Sequence, residues 1–303
     1  MVIAATGFFD GVHIGHRAVL SELSMQAERE GAKSTVITFW PHPRAVLQSD
    51  AAKFRLLNSL EEKKELMVDC GIDNVHVLSF SRDFSQISAK AFITNCLQEQ
   101  YGVTKWVVGY NHRIGHDSEE GRLSLEAVAG ETGISLIRVK EALCDGRVVS
   151  STKIREAIHW GDMDEANRWL GYNYALYGVV VEGDHIGRTI GFPTANLQLY
   201  EPLKQLPADG VYAAEAAFMG RRYQGMMNIG VRPTVGRGLT RTIETNIFDF
   251  EDDIYGLPFT VYPLHRLRGE QGFRSMEALR QQLIADRALC VAWFESRVLQ
   301  NRS

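Results

Sequence analysis

Short apolar runs alternate with longer amphipathic stretches through the first half of the chain. In residues 16–30, Val19, Leu20 and Leu23 recur at helical spacing between charged residues. Short apolar or β-branched runs, which are typical of buried strands, separate such stretches. The predicted strands are 2–5, 34–40, 75–80, 105–109 and 134–139, and the predicted helices are 16–30, 61–70, 89–100 and 123–132. This alternation predicts a parallel, doubly wound α/β sheet, whose ligands bind beyond the carboxyl ends of the strands.

From residue 177 the pattern changes to short β-rich runs separated by glycine, proline and aspartate. The predicted strands there are 178–182, 211–218, 223–229, 242–250 and 259–264. Such runs predict a small antiparallel barrel or sandwich. Residues 276–299 contain neither glycine nor proline, which predicts a long closing helix with Ser275 as its N-cap. We therefore expect two domains, 1–171 and 172–303.

Composition and charge narrow the range of functions. The 303 residues suffice for two domains that each bury a core. The net charge of −4 argues against a non-specific nucleic-acid binder, so any anionic ligand needs a local site. There is no signal-peptide pattern and no apolar run long enough to span a membrane, so we expect a cytoplasmic protein that does not bind membranes. Four cysteines lie far apart without zinc-ligand spacing, which favours reduced thiols: Cys70, Cys96, Cys144 and Cys290.

Glycines and two histidines follow the first predicted strand, in the run 7–16 (GFFDGVHIGH). His13 and His16 are three apart and face one way if they lie on a helical turn. A helix start attracts anions, and two imidazoles there can donate to phosphate oxygens. Gly15 between them removes a side chain where a nucleotide has to come close. A bare pair of this kind is usually a surface accident, and zinc is a competing ligand, but no third zinc ligand stands at a natural spacing.

A second candidate anion site lies in the run 150–155 (SSTKIR), which begins a predicted helix running to about residue 166. Hydroxyls and backbone N–H groups at a helix start, with Arg155 in the first turn, favour a phosphate ligand. The arginine can brace a pyrophosphate leaving group. An ordinary serine or threonine N-cap is the alternative explanation.

These two motifs together resemble the signatures of the nucleotidyltransferase superfamily, and the runs 7–13, 38–44, 60–63 and 107–115 resemble its FAD synthetase branch. In that family the FMN phosphate attacks the α-phosphorus of ATP, and pyrophosphate leaves. The resemblance implies a Rossmann-like domain with His13, His16 and Arg155 as catalytic residues. It also implies flavin binding by Asn111 and ATP binding by Gly7, Phe9, Asp10, Gly15, Ser150, Ser151 and Thr152.

The chain departs from the pattern of this branch at several positions. Phe8 stands where many relatives have asparagine, and the loop 109–115 carries His112 where aromatic residues are common. The loop is expected to line the active site, although His112 is equally compatible with a solvated loop histidine. His42, between two prolines that fix the backbone, is equally compatible with a structural role.

The run 187–197 (GRTIGFPTANL) carries the candidate chemistry of the second half. Gly187 allows a tight turn and a close approach of the backbone to phosphates. Thr194 and Asn196 offer the oxygen ligands that Mg²⁺ prefers, and Arg188 can pair with phosphate. The alternative is a glycine–proline hairpin loop with an Asx turn.

Glu244 lies on a predicted strand and shares one face with Thr242 and Asn246. A carboxylate on a barrel face can accept a proton from a substrate hydroxyl that attacks ATP. The alternative is an exposed strand glutamate, which is the commoner fate of this residue type.

The second half resembles the riboflavin kinase family in an ordered series of motifs: 191–197, 207–212, 228–234, 244–246, 253–256 and 267–270. The family pattern is usually E-[TVS]-H, and here Asn246 replaces the histidine. The resemblance implies a six-stranded barrel, Mg²⁺ on Thr194 and Asn196, Glu244 as the catalytic base, ATP contacts from Gly187 and Arg188, and a flavin contact from Arg268.

The order of the two resemblances is that of the bacterial bifunctional enzymes. It implies that ATP and riboflavin give ADP and FMN in the second half, and that ATP and FMN give diphosphate and FAD in the first. Two alternatives stay open. One is an enzyme with a single active half, in which the altered loop 109–115 points to the first half as the inactive one. The other is a flavin-sensing or scaffold protein.

Overall fold

A computed structural model describes residues 1–47, 54–115, 124–183, 186–234 and 238–300. The chain forms two compact units, Met1–Ser151 and Thr152–Ser303. The division of function at residue 171 stays a prediction. Within the described ranges, no helix combines the length and apolar character that crossing a membrane requires.

The first unit is built on five parallel strands in the order β3-β2-β1-β4-β5, which confirms the predicted doubly wound fold. The strands are β1 (Val2–Thr6), β2 (Lys33–Trp40), β3 (Asn74–Ser79), β4 (Val103–Val108) and β5 (Ser135–Arg138). The central strand β1 is fully buried at Ile3, Ala4 and Ala5, because apolar side chains cover both faces of the sheet. The strand order reverses between β1 and β4, so a ligand crevice is expected beyond Thr6 and Val108.

The helices of the first unit follow the predicted pattern closely. They are Ile14–Arg29, Pro43–Leu47, Leu60–Asp69, Arg82–Ser85, Ala89–Ala91 and Leu125–Thr132, and a π-helix spans Phe92–Gln100. The predicted helix 89–100 is thus mostly π-helical. Residue 123, the first of the predicted helix 123–132, lies outside the described residues. A two-stranded ribbon, β6 (Leu143–Cys144) and β7 (Arg147–Val148), precedes the second unit.

The second unit is a closed six-stranded antiparallel barrel in the order β10-β11-β12-β9-β8-β13, which confirms the predicted barrel. Its strands are β8 (Leu176–Val181), β9 (Ala195–Leu199), β10 (Gly210–Phe218), β11 (Arg221–Thr234), β12 (Gly238–Ile247) and β13 (Pro258–Gly269). A short helix, Ile186–Thr189, precedes β9. The closing helix is Met276–Gln300, and the Ser275 hydroxyl oxygen accepts from the Ala278 N–H at 3.1 Å, as predicted for its N-cap.

One helix prediction is wrong. The stretch expected to run from residue 150 to about 166 forms two helices, Ser151–Trp160 and Met163–Leu170. Gly161 between them has φ of +81°, and a Cβ there would lie 2.7 Å from the Tyr212 hydroxyl. The helix therefore ends where left-handed backbone is needed and where no side chain fits.

Candidate active sites

A strained turn joins β1 to the first helix. Phe9, Gly11 and Val12 have φ of +49°, +90° and +33°, so two non-glycine residues adopt the left-handed region. Asp10 within the turn accepts through Oδ1 from two backbone N–H groups, those of Leu57 at 3.1 Å and Asn58 at 3.3 Å. These bonds hold the turn in a conformation that the local sequence disfavours.

The two histidines of the first motif lie face to face at the start of the helix. Their ring centroids are 3.7 Å apart, with 14° between the ring planes. His13 is the N-cap, and its Nδ1 accepts from the His16 N–H at 3.3 Å, which places the ring proton of a neutral His13 on Nε2. A Cβ on Gly15 would lie 3.1 Å from His13 Cε1, so the glycine makes room for the imidazole.

His16 lies in surroundings that disfavour its charged form. Its pKa is well below the ordinary value, because of burial first and then the nearby charges of His13 and Lys63. Nδ1 of His16 is buried, with no hydrogen-bond partner in the described part of the chain. Phe9 packs edge-on against this ring at 5.2 Å. Phe9 also lies 3.1 Å from the place of a Cβ on Gly7, so that glycine makes room for an aromatic ring.

The second motif meets the first through Ser151, the last residue of the first unit. Its Oγ donates to the Asp10 carbonyl oxygen at 2.8 Å. Ser150 directly precedes the helix that starts at Ser151. Thr152 is exposed and Arg155 is half-buried, both in the first turns of that helix.

His112 is tied to the sheet, so the interpretation as a solvated loop histidine is wrong. Its Nε2 lies 3.1 Å from Thr6 Oγ1, which itself accepts from Trp106 Nε1 at 3.0 Å. Burial, and then the charge of Arg138, lower the pKa of His112 to about 4. Asn111, one residue before, is exposed.

Phe8 and His42 belong to one aromatic cluster. The Phe8 ring lies 5.1 Å from Phe39, 5.6 Å from Phe80 and 5.4 Å from His42. His42 also lies 4.5 Å from Phe54. The phenylalanine that replaces the usual asparagine thus packs among other rings, and His42 has a packing role at least.

In the second unit, the predicted base and metal ligands lie together. Glu244 on β12 is only 8% exposed, so the alternative of an exposed strand glutamate is wrong. Its Oε2 accepts from Thr194 Oγ1 at 3.5 Å, and its Oε1 accepts from Thr242 Oγ1 at 3.2 Å. Glu244 and Asn196 are direct partners in the pairing of β12 with β9, which puts their side chains on one face of the barrel wall. Gly183 leaves room for the Asn196 amide, which a Cβ there would overlap.

A small cleft of about 60 Å³ opens beside this group. Arg188 and Thr194, whose phosphate and metal contacts stay predictions, line it. Its other polar lining residues include Thr245, Asp253 and Tyr255 from the riboflavin kinase motifs, and Glu251 and Asp252, which the sequence did not single out. The acidic run 251–253 was visible in the sequence, but only the fold brings it to the cleft. Gly187 lets its own backbone approach the Phe192 carbonyl oxygen, which a Cβ would overlap.

Arg268 is bound to the closing helix. Its guanidinium donates to both carboxylate oxygens of Asp286, with the shortest distance 2.7 Å, and Asp286 is fully buried. Nη1 of Arg268 donates to the Gly269 carbonyl oxygen at 3.0 Å. The predicted flavin contact of Arg268 stays a prediction, and the observed contacts give this side chain a structural role.

Comparisons with known proteins agree with the two-part architecture. A FAD synthetase family model matches residues 1–153, and a riboflavin kinase family model matches residues 170–294. A bifunctional riboflavin kinase/FMN adenylyltransferase of Listeria monocytogenes is 37% identical over 96% of this chain and 92% of the relative. One of Escherichia coli is 36% identical over 94% of this chain and 90% of the relative.

A crystal structure of a Streptococcus pneumoniae protein described as a macrolide-efflux protein superposes with a TM-score of 0.88. It is 31% identical, and the match covers 96% of this chain and 94% of that one. Both halves, their order and nearly the full length of the curated relatives are therefore matched. The chain belongs to the family of bifunctional riboflavin kinases/FMN adenylyltransferases.

Proposed function

We propose that the barrel converts riboflavin and ATP to FMN and ADP, and that the first unit converts FMN and ATP to FAD and diphosphate. The observation that carries this proposal is the presence of two separate groups of catalytic residue types. One is the stacked histidine pair beyond β1, and the other is Glu244 beside Thr194 and Asn196 on the barrel wall.

In the kinase reaction, Glu244 accepts the proton of the terminal ribityl hydroxyl as its oxygen attacks the γ-phosphorus of ATP. The bond from that phosphorus to the bridging oxygen breaks, and ADP leaves. Burial and the two hydroxyl donors from Thr194 and Thr242 fix the carboxylate in one orientation. Arg188 lines the cleft and is the proposed contact to the phosphates.

The residues around Glu244 fit a magnesium ion. Thr194 and Asn196 supply a hydroxyl and an amide oxygen, which are hard ligands of the kind that Mg²⁺ prefers, and acidic side chains line the same cleft. When bound, the ion would neutralise charge on the ATP phosphates. Thr194 and Asn196 are the residues that would hold it.

In the adenylyl transfer, an oxygen of the FMN phosphate attacks the α-phosphorus of ATP and the bond to the diphosphate breaks. No covalent enzyme intermediate is needed, so the histidines act by orienting the phosphates and stabilising their charge. The Nε2–H of His13 is the group that donates to the α-phosphate, and neutral His16 supplies the second imidazole. The roles of Thr152 and Arg155 rest on their place at the helix start and on the sequence resemblance, and that of Asn111 rests on the resemblance alone.

Location in the cytoplasm is part of this proposal, supported by four cysteines that form no disulfide. Riboflavin and ATP are expected there, and no nucleic acid or membrane is required.

Chromatographic product analysis tests the proposed function. The chain is incubated with MgATP and either riboflavin or FMN. We expect FMN and then FAD from riboflavin, His16→Ala to lose FAD formation from FMN by at least roughly 10²-fold, and Glu244→Gln to lose FMN formation to a similar extent. In each variant, the retained activity of the unaltered unit serves as the internal control. FMN accumulation without FAD contradicts the assignment of the first unit, and flavin binding without ATP turnover contradicts both.

A further inference from the structure

Lys63 is a buried lysine in the first unit. It lies on the helix Leu60–Asp69 and is 4% exposed. A capping box fixes the start of this helix: Glu62 N–H donates to Ser59 Oγ at 3.1 Å, and Ser59 N–H donates to Glu62 Oε2 at 2.6 Å. Lysines are almost never fully buried unless they are paired, because desolvating an ammonium group is costly. The cap and the burial together direct this side chain inward.

The ammonium group of Lys63 reaches the turn that precedes the stacked histidines. Nζ donates to the Phe8 carbonyl oxygen at 3.0 Å and lies 5.7 Å from the Trp40 ring centroid on β2. The charged groups that act on it are Asp10 from the turn and Lys64 from its own helix. Its own charge acts on His16 from the first helix. The lysine is thus electrically coupled to the predicted phosphate site.

Two tethers from one segment hold the strained turn. Lys63 binds the Phe8 carbonyl at its start, and the N–H groups of Leu57 and Asn58 bind Asp10 at its middle. Strained backbone persists only where the surroundings over-determine it. The segment 57–63 therefore sets the path of the chain into His13.

We propose that Lys63 is a positioning residue for adenylyl transfer, which holds the turn before His13 and adds a positive charge to the phosphate site. This inference rests on the proposed function of the first unit. The run 60–63 of this helix is one of those that resemble the FAD synthetase branch, and the sequence alone gave it no role.

The ionisation of Lys63 gives its proposed role a measurable pH dependence. Burial, partly offset by Asp10, lowers the pKa of Lys63 to about 8. The group is charged below that pH and loses its proton as the pH rises through it. We therefore expect the rate of FAD formation to decline above about pH 8, and we call this decline the alkaline limb. The rate of FMN formation by the same chain should show no decline that is caused by Lys63.

The experiment measures FAD formation from FMN and MgATP between pH 6.5 and 10, and FMN formation from riboflavin in the same samples. Lys63→Met should lower the kcat of FAD formation by roughly ten- to a hundredfold at pH 7, because a charged hydrogen bond is lost, and should abolish the alkaline limb. Lys63→Arg keeps its charge and should also lose the limb, even where Lys63→Met folds poorly. A thermal unfolding profile that matches the parent's confirms that the first unit of each variant is folded, and unchanged FMN formation confirms that the barrel is intact.

Lys64→Met is the matched control on the same helix. It removes a like charge, so the pKa of Lys63 rises and the alkaline limb moves to higher pH, with the rate at pH 7 unchanged. FAD formation by Lys63→Met within twofold of the parent, or an unshifted limb in Lys63→Arg, overturns the inference alone. A parent chain that forms FMN but no FAD overturns the proposed function of the first unit and the inference with it.

Discussion

The side chain of Asn246 joins the strand of the proposed base to the loop of the proposed metal ligand. Its amide nitrogen donates to the Pro193 carbonyl oxygen at 2.7 Å, and the side chain is 5% exposed. Pro193 directly precedes Thr194, and Asn246 lies two residues beyond Glu244 on β12. This hydrogen bond, together with the pairing of β12 with β9, therefore holds the backbone before Thr194 against the strand of Glu244.

Substitutions of Asn246 that keep or remove its hydrogen-bond donor test this linkage. Asn246→Asp has the same shape but places a carboxylate oxygen against the Pro193 carbonyl, so two acceptors face each other. Asn246→Leu leaves a buried carbonyl without its donor, which costs about 1–3 kcal/mol. That corresponds to a fall in Tm of about 2–12 °C for a unit of this size. Asn246→His, the usual residue of the riboflavin kinase pattern, can still donate through a ring N–H.

The assay is riboflavin phosphorylation as a function of magnesium concentration, with FAD formation from FMN as the internal control. We expect kcat to fall about tenfold in Asn246→Leu and about a hundredfold in Asn246→Asp, since a displacement of about 1 Å can cost that much. Half-saturation by magnesium should rise in the same order, and Asn246→His should stay within a few-fold of the parent. Equal kinase activity of Asn246→Asp and the parent would refute the reasoning.

Three further predictions concern stability. Asp286→Ala should destabilise the chain by about 3–5 kcal/mol in urea unfolding, because it leaves the largely buried guanidinium of Arg268 without its carboxylate; a loss below 1 kcal/mol would contradict this. His112 has a lowered pKa of about 4, so it destabilises the fold as the pH falls from about 6.5 to 4, by roughly 3 kcal/mol at most. In His112→Gln, the free energy of unfolding in urea should therefore vary less with pH in this range. A pH dependence equal to that of the parent would contradict the prediction. Ser59→Ala should cost about 1 kcal/mol through the lost capping box with Glu62, and a Tm equal to that of the parent would show that the cap is dispensable.

Periodicity predicted most of the elements, because the buried faces of both units are read directly from apolar spacing. The strand β9 (Ala195–Leu199) was missed, since its sequence was interpreted as a phosphate and metal loop. It pairs with both β8 and β12, so long-range pairing in a closed barrel makes it a strand. The break at Gly161 was missed for a related reason, since the Tyr212 hydroxyl that excludes a side chain there belongs to a distant strand.

Residue types at the sites were predictable, but their partners were not. The sequence suggested that Gly15 and Gly187 make room for a nucleotide, and the structure shows that each makes room for the protein itself, for the His13 ring and for the Phe192 carbonyl. The position of a glycine in a sequence motif indicates where a side chain does not fit. Only the folded chain shows what occupies the space.

The two sites share one organisation that no local motif contains. In each, the group proposed to act on substrate is oriented by a residue from a distant segment: Lys63 for the turn before His13, and Asn246 for the loop before Thr194. Both bonds end on a backbone carbonyl, so they fix the path of the chain rather than a side-chain rotamer. A substitution at either donor therefore displaces several groups of its site together and not one side chain alone.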